Sequence, residues 1–596
     1  MPVSTSRGSD RELAYASPVI KTDDGEEKRI RRCRGSSDDE GLPTWDGYIN
    51  EDLRVGGPRL CSLPASFVEI RRDHLLSCGL NAHNRHVYDE IHRILQSLNI
   101  NACVNFNGRQ SDWNPEPEPI ITALIFVKRK QRRSVWLTAC RQIREYLTAN
   151  GLEEVSVEIA DTHAVKRLRA FSVLPTDPIT HVWDDVRDRI VRSLDLTDVL
   201  MVGCYRHGIS KNVLENDPTI LILVNTRSTR DWRGPRDKIV EILAEYDLSM
   251  VAVEFSKDVI RRATFAPRDV ERRTLHNPAR PDDNLGMQLE PTRSATFGGY
   301  VELMSSDNVR FNFGLTCFHC VMPTEESTPP SLSQKCNNWK EHGIRLDDQE
   351  AERYLKIHRP GLADMDNKAE ELHDDTRRMK SGRFLNMPLA KMSRAMKDSR
   401  SSMEREIDEN EAFLDEIRKY KASGSYQMGH VAAASGLRTS QAPSTHDPQG
   451  QVRMNMDWAL IQVDERHQGT NETERGLWLT NPWLDTFERM VSGTIYVGKY
   501  KGTYHALRTS FITDVVVDGR PVKVETIEHT TLTNYDRSFT NPMNPGGFVR
   551  TFDSIAIGMV FACCEGRGIT FFTPFDDLAK DIMFMTGAKE VRMADE

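Results

Sequence analysis

The pattern of apolar and polar positions is most regular between residues 63 and 262, where apolar runs of strand length alternate with amphipathic stretches. The apolar residues between 91 and 98 recur at helical spacing, whereas the run at 122–127 is continuous, as in a buried strand. The pattern predicts a strand, a helix, two strands, a helix and a strand, at 66–70, 91–98, 103–106, 122–127, 136–149 and 155–159.

The same pattern returns further along the chain at a constant distance. Six positions of the first copy recur 96 residues later with the same residue type: Trp136, Ile143, Leu147, Leu152, Val155 and Glu158 match Trp232, Ile239, Leu243, Leu248, Val251 and Glu254. A constant offset across helix-like and strand-like positions indicates an internal duplication. The order βαββαβ predicts two tandem ferredoxin-like modules, at 63–165 and 166–262.

Polar stretches border these modules. Residues 1–62 are rich in Ser, Asp, Arg and Gly, which predicts a disordered tail. The basic cluster at 28–34 within it is either a nuclear import signal or a solvated charge run, and its acidic neighbours favour the charge run. Residues 263–290 are rich in Pro, Arg, Asn and Asp, so we expect a linker there.

After residue 290 the apolar runs become short, which predicts a β-rich domain over 291–596. A charged stretch at 325–425 interrupts it, and Ile407 lies beside a stripe of apolar residues that fall mainly at helical spacing: Met365, Ala369, Leu372, Met379, Met392, Met396, Met403, Leu414 and Ile417. We expect an inserted pair of antiparallel helices. Either this pair packs on its own domain, or the helices at 363–421 project as an arm that captures a partner or self-associates.

Composition limits what such a chain can be. It has 596 residues, too many for one core, and a net charge of −9 with 28% charged residues, which argues against bulk affinity for nucleic acids or membranes. We find no apolar run that could span a bilayer and no apolar signal core at the N-terminus. The 11 cysteines lack framework spacing, so we expect free thiols and an intracellular protein, cytoplasmic or nuclear, rather than a secreted enzyme.

Three short motifs in the β-rich half carry candidate chemistry. Residues 316–320 read Thr-Cys-Phe-His-Cys at the end of an apolar strand, residues 456–461 read Met-Asp-Trp-Ala-Leu-Ile, and residues 543–547 read Met-Asn-Pro-Gly-Gly. These motifs and their order resemble those of trypsin/chymotrypsin-like serine proteases, more closely the fungal type, over about residues 290–596. The resemblance implies a double β-barrel in which His319 is the general base and Asp457 orients it.

The third motif departs from the family pattern. The family has Gly-Asp-Ser before the Gly-Gly pair, and this chain has Met543, Asn544 and Pro545. Proline has neither a hydroxyl nor a backbone N–H, so Pro545 removes the nucleophile and one oxyanion donor together. Loss of one donor costs about 10²–10³ in rate, and loss of the nucleophile costs about 10⁶. We therefore expect the oxyanion-hole region, from Met543 to Gly546, to be inactive.

The sequence thus predicts a pseudoprotease, which binds a protein or peptide as a scaffold or regulator and keeps His319 and Asp457 as a packed polar pair. The alternative is an unusual active hydrolase, in which Ser538, Thr540 or a water replaces the nucleophile. In the family, the floor of the specificity pocket lies six residues before the nucleophile. That count reaches Phe539, a bulky side chain that would fill the pocket.

A zinc site is a further alternative in the same region. Its ligands would be Cys317, His319, Cys320, Cys563 and Cys564. The tight Cys-x-His-Cys spacing is not one of the common zinc knuckles, and the end of a strand explains these residues without a metal. We expect no metal and no other cofactor.

RNA binding by the tandem modules is the last alternative. It would use Phe106 and Tyr205 on the sheets and the basic loop 128–133. The sequence contains no aromatic-rich RNA-binding strand, so a docking role for these modules is the favoured interpretation.

Overall fold

The computed structural model describes residues 19–21, 27–29, 46–51, 54–61, 65–68, 85–111, 119–127, 133–161, 168–208, 210–228, 230–262, 269–382, 385, 387–440, 444, 452–482, 493–498, 500–517, 520–533, 545–564 and 567–594. The chain forms two compact units, residues 1–259 and 260–596, and both mix helices with strands.

The first copy of the repeat lies in the first unit with additional strands before it. In chain order the elements are β1 (Val19–Lys21), β2 (Glu27–Arg29), β3 (Ile49–Glu51), β4 (Arg54–Gly57), β5 (Ala65–Val68), α1 (Arg85–Ser97), β6 (Ala102–Ser111), β7 (Ile120–Val127), α2 (Arg133–Ala149) and β8 (Ser156–Asp161). Strands β3 to β8 form one sheet in the order β3-β4-β8-β7-β6-β5, in which only β7 and β8 are parallel.

The second copy has the same sequence of elements. These are β9 (Arg169–Phe171), α3 (Trp183–Ser193), β10 (Val199–Gly208), β11 (Asp217–Asn225), α4 (Arg233–Glu245) and β12 (Ala252–Asp258). The order β9-β10-β11-β12, with β11 and β12 parallel, repeats the order β5-β6-β7-β8. Both members of all six repeated positions, from Trp136 and Trp232 to Glu158 and Glu254, are buried. The duplicated pattern therefore specifies the same core positions twice.

The strand arrangement differs from the ferredoxin-like one that we predicted. In a ferredoxin-like sheet the first strand lies between the third and the fourth. In each copy here, the third and fourth strands are direct neighbours and the first pairs with the second. A helical crossover between adjacent parallel strands is an ordinary connection, and the order βαββαβ is compatible with both arrangements. The element order was correct and the arrangement was wrong.

The predicted disorder of residues 1–62 is wrong for the part that the structure describes. Strand β4 pairs with β8, places Val55 in the core of the first copy, and directs Arg54 to Glu158 at 3.2 Å. A single buried valine among polar residues carries too little periodicity to indicate a strand. The basic cluster lies partly outside the described residues, and its described part is β2, which pairs with β1.

The second unit contains the remaining elements. They are β13 (Asn284–Met287), β14 (Ser294–Thr296), β15 (Gly299–Met304), β16 (Arg310–Thr316), α5 (Phe318–Val321), α6 (Ser333–His342), α7 (Gln349–Tyr354), β17 (Lys356–His358), α8 (Leu362–Ser381), α9 (Arg394–Ala422), β18 (Gln427–Ala434), β19 (Arg438–Thr439), β20 (Asn455–Met456), β21 (Ala459–Val463), β22 (Thr494–Val497), β23 (Tyr500–Val517), β24 (Arg520–Leu532), β25 (Phe548–Arg550), β26 (Ala556–Cys564), β27 (Ile569–Pro574), α10 (Phe575–Thr586) and β28 (Glu590–Met593).

Two antiparallel arrangements of strands organise this unit. Eight strands form a sheet in the order β14-β13-β17-β18-β21-β16-β15-β28. Six others, β23, β22, β25, β26, β27 and β24, pair in succession, and β24 pairs back with β23. Because the last strand bonds to the first, these six form a closed ring whose members are all paired on both sides. Its apolar core includes Tyr504, Val549, Val560 and Phe572.

Two predicted boundaries need correction. The predicted linker 263–290 contains β13, a strand of the eight-stranded sheet, and its Val270 and Leu275 are buried against the inserted helices. The predicted insertion 325–425 contains β17, which pairs with β13 and β18. Both strands are very short, three or four residues, so neither gives a readable alternation of apolar and polar positions.

The inserted helices α8 and α9 pack on each other, as their apolar stripes predicted. Met365, Leu372, Leu414 and Ile417 are buried in a shared core. Ion pairs cross the seam from Lys380 to Glu411 and from Lys421 to Asp366, and Glu416 binds Arg272. The described contacts hold the base of the pair against residues 269–276. No described helix has the length and apolarity needed to cross a bilayer.

Candidate functional site

His319 and Asp457 are brought together by the eight-stranded sheet. His319 lies in α5, the single turn that follows β16, and Asp457 lies between β20 and β21, which pairs with β16. The ring Nδ1 of His319 is 2.5 Å from Asp457 Oδ2, and the backbone N–H of His319 donates to Asp457 Oδ1 at 2.9 Å. Both residues are buried. The carboxylate therefore fixes the position of the turn and the orientation of the ring.

A second buried pair, not recognised in the sequence, holds the turn from the other side. The Arg293 guanidinium donates to the carbonyl oxygens of His319 at 2.8 Å and Met322 at 2.9 Å. Its charge is paired with Glu290, which also accepts a bond from the Thr324 backbone N–H. These bonds satisfy carbonyls at the end of a one-turn helix, which is too short to satisfy them internally. Glu290 and Arg293 carry no motif, so only their three-residue spacing could have indicated them.

The described residues of the third motif lie against the end of β16, next to the turn of His319. Pro545 is buried, and its carbonyl accepts a bond from the Thr296 N–H at 3.2 Å. Gly546 has a φ of +91°, and a Cβ there would lie 2.4 Å from Thr316 Oγ1 and 2.6 Å from the Thr296 carbonyl. Only glycine fits this close approach without strain. The structure thus brings Pro545 and Gly546 against the strand end that carries His319.

In the described part of this turn, neither Pro545 nor Gly546 offers a backbone N–H to an oxyanion. Pro545 has none, and the N–H of Gly546 donates to the Val560 carbonyl at 2.8 Å. In return, the Val560 N–H donates to the Gly547 carbonyl at 3.0 Å. The turn is thereby bonded to β26 like a strand. Met543 and Asn544 lie outside the described residues, as do Ser538, Phe539 and Thr540.

Cys320 contacts the second nitrogen of the His319 ring. Its Sγ lies 3.2 Å from His319 Nε2, the atom that faces the nucleophile in the resembled proteases, and 4.0 Å from the Pro545 carbonyl oxygen. Cys317, at the start of the same turn, donates its thiol to the Val560 carbonyl at 3.1 Å. The sequence prediction treated both cysteines only as possible metal ligands. Their contact with the histidine depends on the turn of α5 and could not be read from spacing.

The charges of these groups are coupled. Burial lowers the pKa of His319, but the charges of Asp457 and Cys320 outweigh burial and raise it. Burial opposes ionisation of Cys320, but hydrogen bonds from Cys317 and His319 and the positive charge of His319 lower its pKa. Burial and the hydrogen bond to Cys320 raise the pKa of Cys317. These pKa directions favour a Cys320 thiolate beside a His319 imidazolium, with Cys317 as the protonated thiol.

The five-ligand zinc site is not assembled in the described residues. The ligand atoms of Cys317, His319 and Asp457 lie within 4.8 Å of one another, but neither Cys563 nor Cys564 belongs to this group. His319 Nδ1 is engaged by Asp457, and the Cys317 thiol by a carbonyl. The arrangement is that of a hydrogen-bonded network.

The RNA-binding alternative loses one of its two aromatic residues. Tyr205 is fully buried, so its ring offers no face to a base. Phe106 packs edge-on against Tyr88, with ring centres 5.1 Å apart. Of the basic loop, residues 128–132 lie outside the described residues.

No protein-family model matches this chain, and no curated protein matches it either.

Proposed function

We propose that the chain is a catalytically inactive protein of the trypsin-like type, which binds a protein or peptide partner as a scaffold or regulator. The turn of Pro545 and Gly546 carries this proposal. In the resembled family this turn would carry the nucleophile and an oxyanion donor, whereas here it has no hydroxyl, and the one N–H of Pro545 and Gly546 is bonded within the protein. The closed six-stranded ring beside an antiparallel sheet, with His319 and Asp457 on the sheet, supports a double-barrel ancestry.

A fluorophosphonate probe, which reacts with activated serines, tests the loss of catalysis. We expect the full chain to remain unlabelled under conditions that label trypsin completely. Unfolded casein mixed with an excess of the chain should also remain intact. Labelling or cleavage that disappears in His319→Ala would show an active hydrolase and refute the proposal.

A rebuilt motif separates loss of the nucleophile from loss of the whole site. The triple change Met543→Gly, Asn544→Asp and Pro545→Ser restores the family sequence, yet His319 Nε2 stays engaged by Cys320. We expect measurable probe labelling only when Cys320→Ala is added to the triple variant. The matched control is Cys336→Ala, another buried cysteine of this unit, which should not help.

The binding role is tested by comparing two versions of the chain. Affinity capture with the full chain and with a variant lacking residues 362–422 shows whether the α8–α9 hairpin is required for a partner. We propose that this hairpin contributes to partner binding or self-association. A partner recovered intact by the full chain supports a binding role, whereas a partner recovered only as fragments contradicts it.

The nine described cysteines are free, which supports a reducing, intracellular location, cytoplasmic or nuclear, as part of this proposal. Fractionation of cells that express a tagged full chain tests it. Recovery of the chain mainly from the medium with paired cysteines would contradict it.

A further inference from the structure

Cys317 and Cys320 are the one part of the site that the proposed function leaves unused. They bracket a single turn, Cys317-Phe318-His319-Cys320, and their sulfurs lie close enough to shift each other's pKa. Two cysteines separated by two residues at the start of a helical turn are a spacing that redox proteins use. Here the ring of His319 contacts the second sulfur directly.

We propose that Cys320 and Cys317 form a peroxide-sensitive thiol pair, in which the His319–Asp457 pair activates Cys320 and Cys317 resolves its oxidised form into a disulfide. The inference does not depend on what the barrel binds. It rests on the 3.2 Å contact between Cys320 Sγ and His319 Nε2, the 2.5 Å contact between His319 Nδ1 and Asp457, and the adjacency of the two thiols.

The three groups that surround Cys320 all favour its reactive form. A thiolate, not a thiol, reacts with peroxides, and a neighbouring imidazolium stabilises it. Asp457 holds the imidazolium charge and also the backbone of the turn. Arg293, whose charge also favours the thiolate, fixes the same turn through the His319 carbonyl. This is the geometry of an activated nucleophile and its oriented base.

The burial of the two sulfurs limits which oxidants can reach them. Cys320 is only 3% exposed and Cys317 is fully buried, so a polypeptide cannot reach either sulfur without opening the domain. Hydrogen peroxide is small and uncharged, and it requires only a local opening. The thiols of Cys317 and Cys320 are therefore accessible to a small oxidant but not to a peptide.

The reaction balances in two steps. The Cys320 thiolate attacks one peroxide oxygen, the O–O bond breaks, and the departing hydroxide takes a proton from the His319 imidazolium to give water. Cys320 is now a sulfenic acid. The Cys317 sulfur then attacks the Cys320 sulfur, the S–O bond breaks, and the hydroxide leaves as water with the Cys317 proton. Two thiols are oxidised, and one peroxide is reduced to two waters.

Oxidation of the two thiols would change the hydrogen bonds around the Pro545 turn. The Cys317 thiol bonds to the carbonyl of Val560, which also accepts the Gly546 N–H, and Cys320 contacts the Pro545 carbonyl oxygen. A Cys317–Cys320 disulfide has no thiol proton to donate, so the Val560 carbonyl loses that bond. Oxidation thereby connects the thiol pair with the turn that would have carried the nucleophile.

The sequence provides a direct readout. Trypsin releases residues 311–335 as one peptide, which contains Cys317 and Cys320 and no other cysteine, while Cys336 falls in the next peptide. The full chain is treated with increasing hydrogen peroxide, quenched by alkylation and digested. We expect the 311–335 peptide to lose two hydrogens and resist alkylation, at a rate at least about tenfold above the oxidation of Cys336. Cys336 is equally buried but has no histidine contact in the described structure.

Variants test the assigned roles. In Cys317→Ser the sulfenic acid cannot be resolved, so dimedone should label Cys320. In Asp457→Asn, oxidation of Cys320 should slow by about tenfold or more, while Cys336 remains protected from alkylation, which shows that the unit is folded. If Cys317→Ser does not fold by this criterion, Cys317→Ala replaces it. Oxidation of Cys320 no faster than that of Cys336, or a disulfide formed with another cysteine, would overturn the proposal.

Discussion

Two buried histidine–carboxylate pairs in this chain have similar geometry and different surroundings. His207 Nδ1 lies 3.1 Å from Glu254 in the first unit, and His319 Nδ1 lies 2.5 Å from Asp457 in the second. The first pair joins strands β10 and β12 within a sheet. The second lies at the end of a strand, where Cys320 and the Pro545 turn meet it. The proposed chemistry of the second pair therefore depends on Cys320 at the other ring nitrogen of His319, and not on the histidine–carboxylate contact alone.

The duplication shows which residues of the other copy correspond to His207 and Glu254. His207 faces Asp217 in its sheet as Arg109 faces Ile120 in the other copy, so His207 and Arg109 hold equivalent positions. Arg109 pairs with Glu158 as His207 pairs with Glu254. One copy therefore compensates its buried glutamate with two arginines, Arg109 and Arg54, and the other with a histidine. This is the behaviour of a structural polar pair.

The largest expected effect is a difference in stability between variants of the two equivalent glutamates, Glu158 and Glu254. Glu158→Gln removes the carboxylate that pairs with both buried arginines in the described part of the first unit, and removal of one partner from a buried ion pair costs about 3–5 kcal/mol. The matched change, Glu254→Gln, keeps a side-chain oxygen that His207 can bond, so it should cost about 1 kcal/mol. Hydrogen exchange of peptides from β8 and β12 in the full chain measures the two losses locally. Equal losses would contradict the assignment.

The next effect separates structural from activating pairs. Asp457→Asn should lower the reactivity of Cys320 toward a small alkylating reagent by about tenfold, because the imidazolium that stabilises the thiolate loses its counter-charge. Glu254→Gln should leave that reactivity unchanged. Wild-type reactivity should also stay nearly level between pH 8 and pH 6, since the lowered pKa keeps Cys320 ionised where an ordinary thiol, with a pKa of about 8.5, is protonated. A tenfold fall per pH unit would refute the thiolate.

A third effect is on the pH dependence of stability. The pKa of His319 is raised to about 10 in the folded chain, against about 6.5 when unfolded. Its stabilisation is therefore complete below pH 6.5 and is lost as the pH rises through about 10. The difference in melting temperature between the wild-type chain and His319→Gln should shrink between pH 7 and pH 10.5.

A second buried histidine provides the control for that measurement. Burial lowers the pKa of His358 to about 4, so His358 is neutral in both states above pH 7. The difference between the wild-type chain and His358→Gln should stay constant over the same range. If the His319 difference is equally constant, His319 is not charged in the folded state.

The sequence predicted those features that repeat or form motifs. The offset of 96 residues identified core positions from Trp136 to Glu158 and their copies, all of which are buried. The motifs identified His319, Asp457 and the Pro545 turn, which the structure brings together. Strands β4 and β17 were missed because three or four residues carry no period.

The contact of Cys320 with His319 was missed for a different reason. Adjacent residues in a helical turn ordinarily point in different directions, and only the tight turn of α5, held by Arg293 and Asp457, lets these two meet. Strand order within the modules was equally hidden, because it depends on which strands meet in space.

The position of β17 has a consequence for the history of the second unit. Strand β17 pairs with β18, and the Arg359 N–H donates to the Tyr426 carbonyl at 2.7 Å, so the hairpin of α8 and α9 starts and ends on neighbouring strands. Neighbouring strands are about 4.8 Å apart, a gap that a short turn closes. The whole helical arm is thus a cassette in the connection of one strand pair. The sheet that carries His319 can therefore keep its register when the arm is shortened or lengthened.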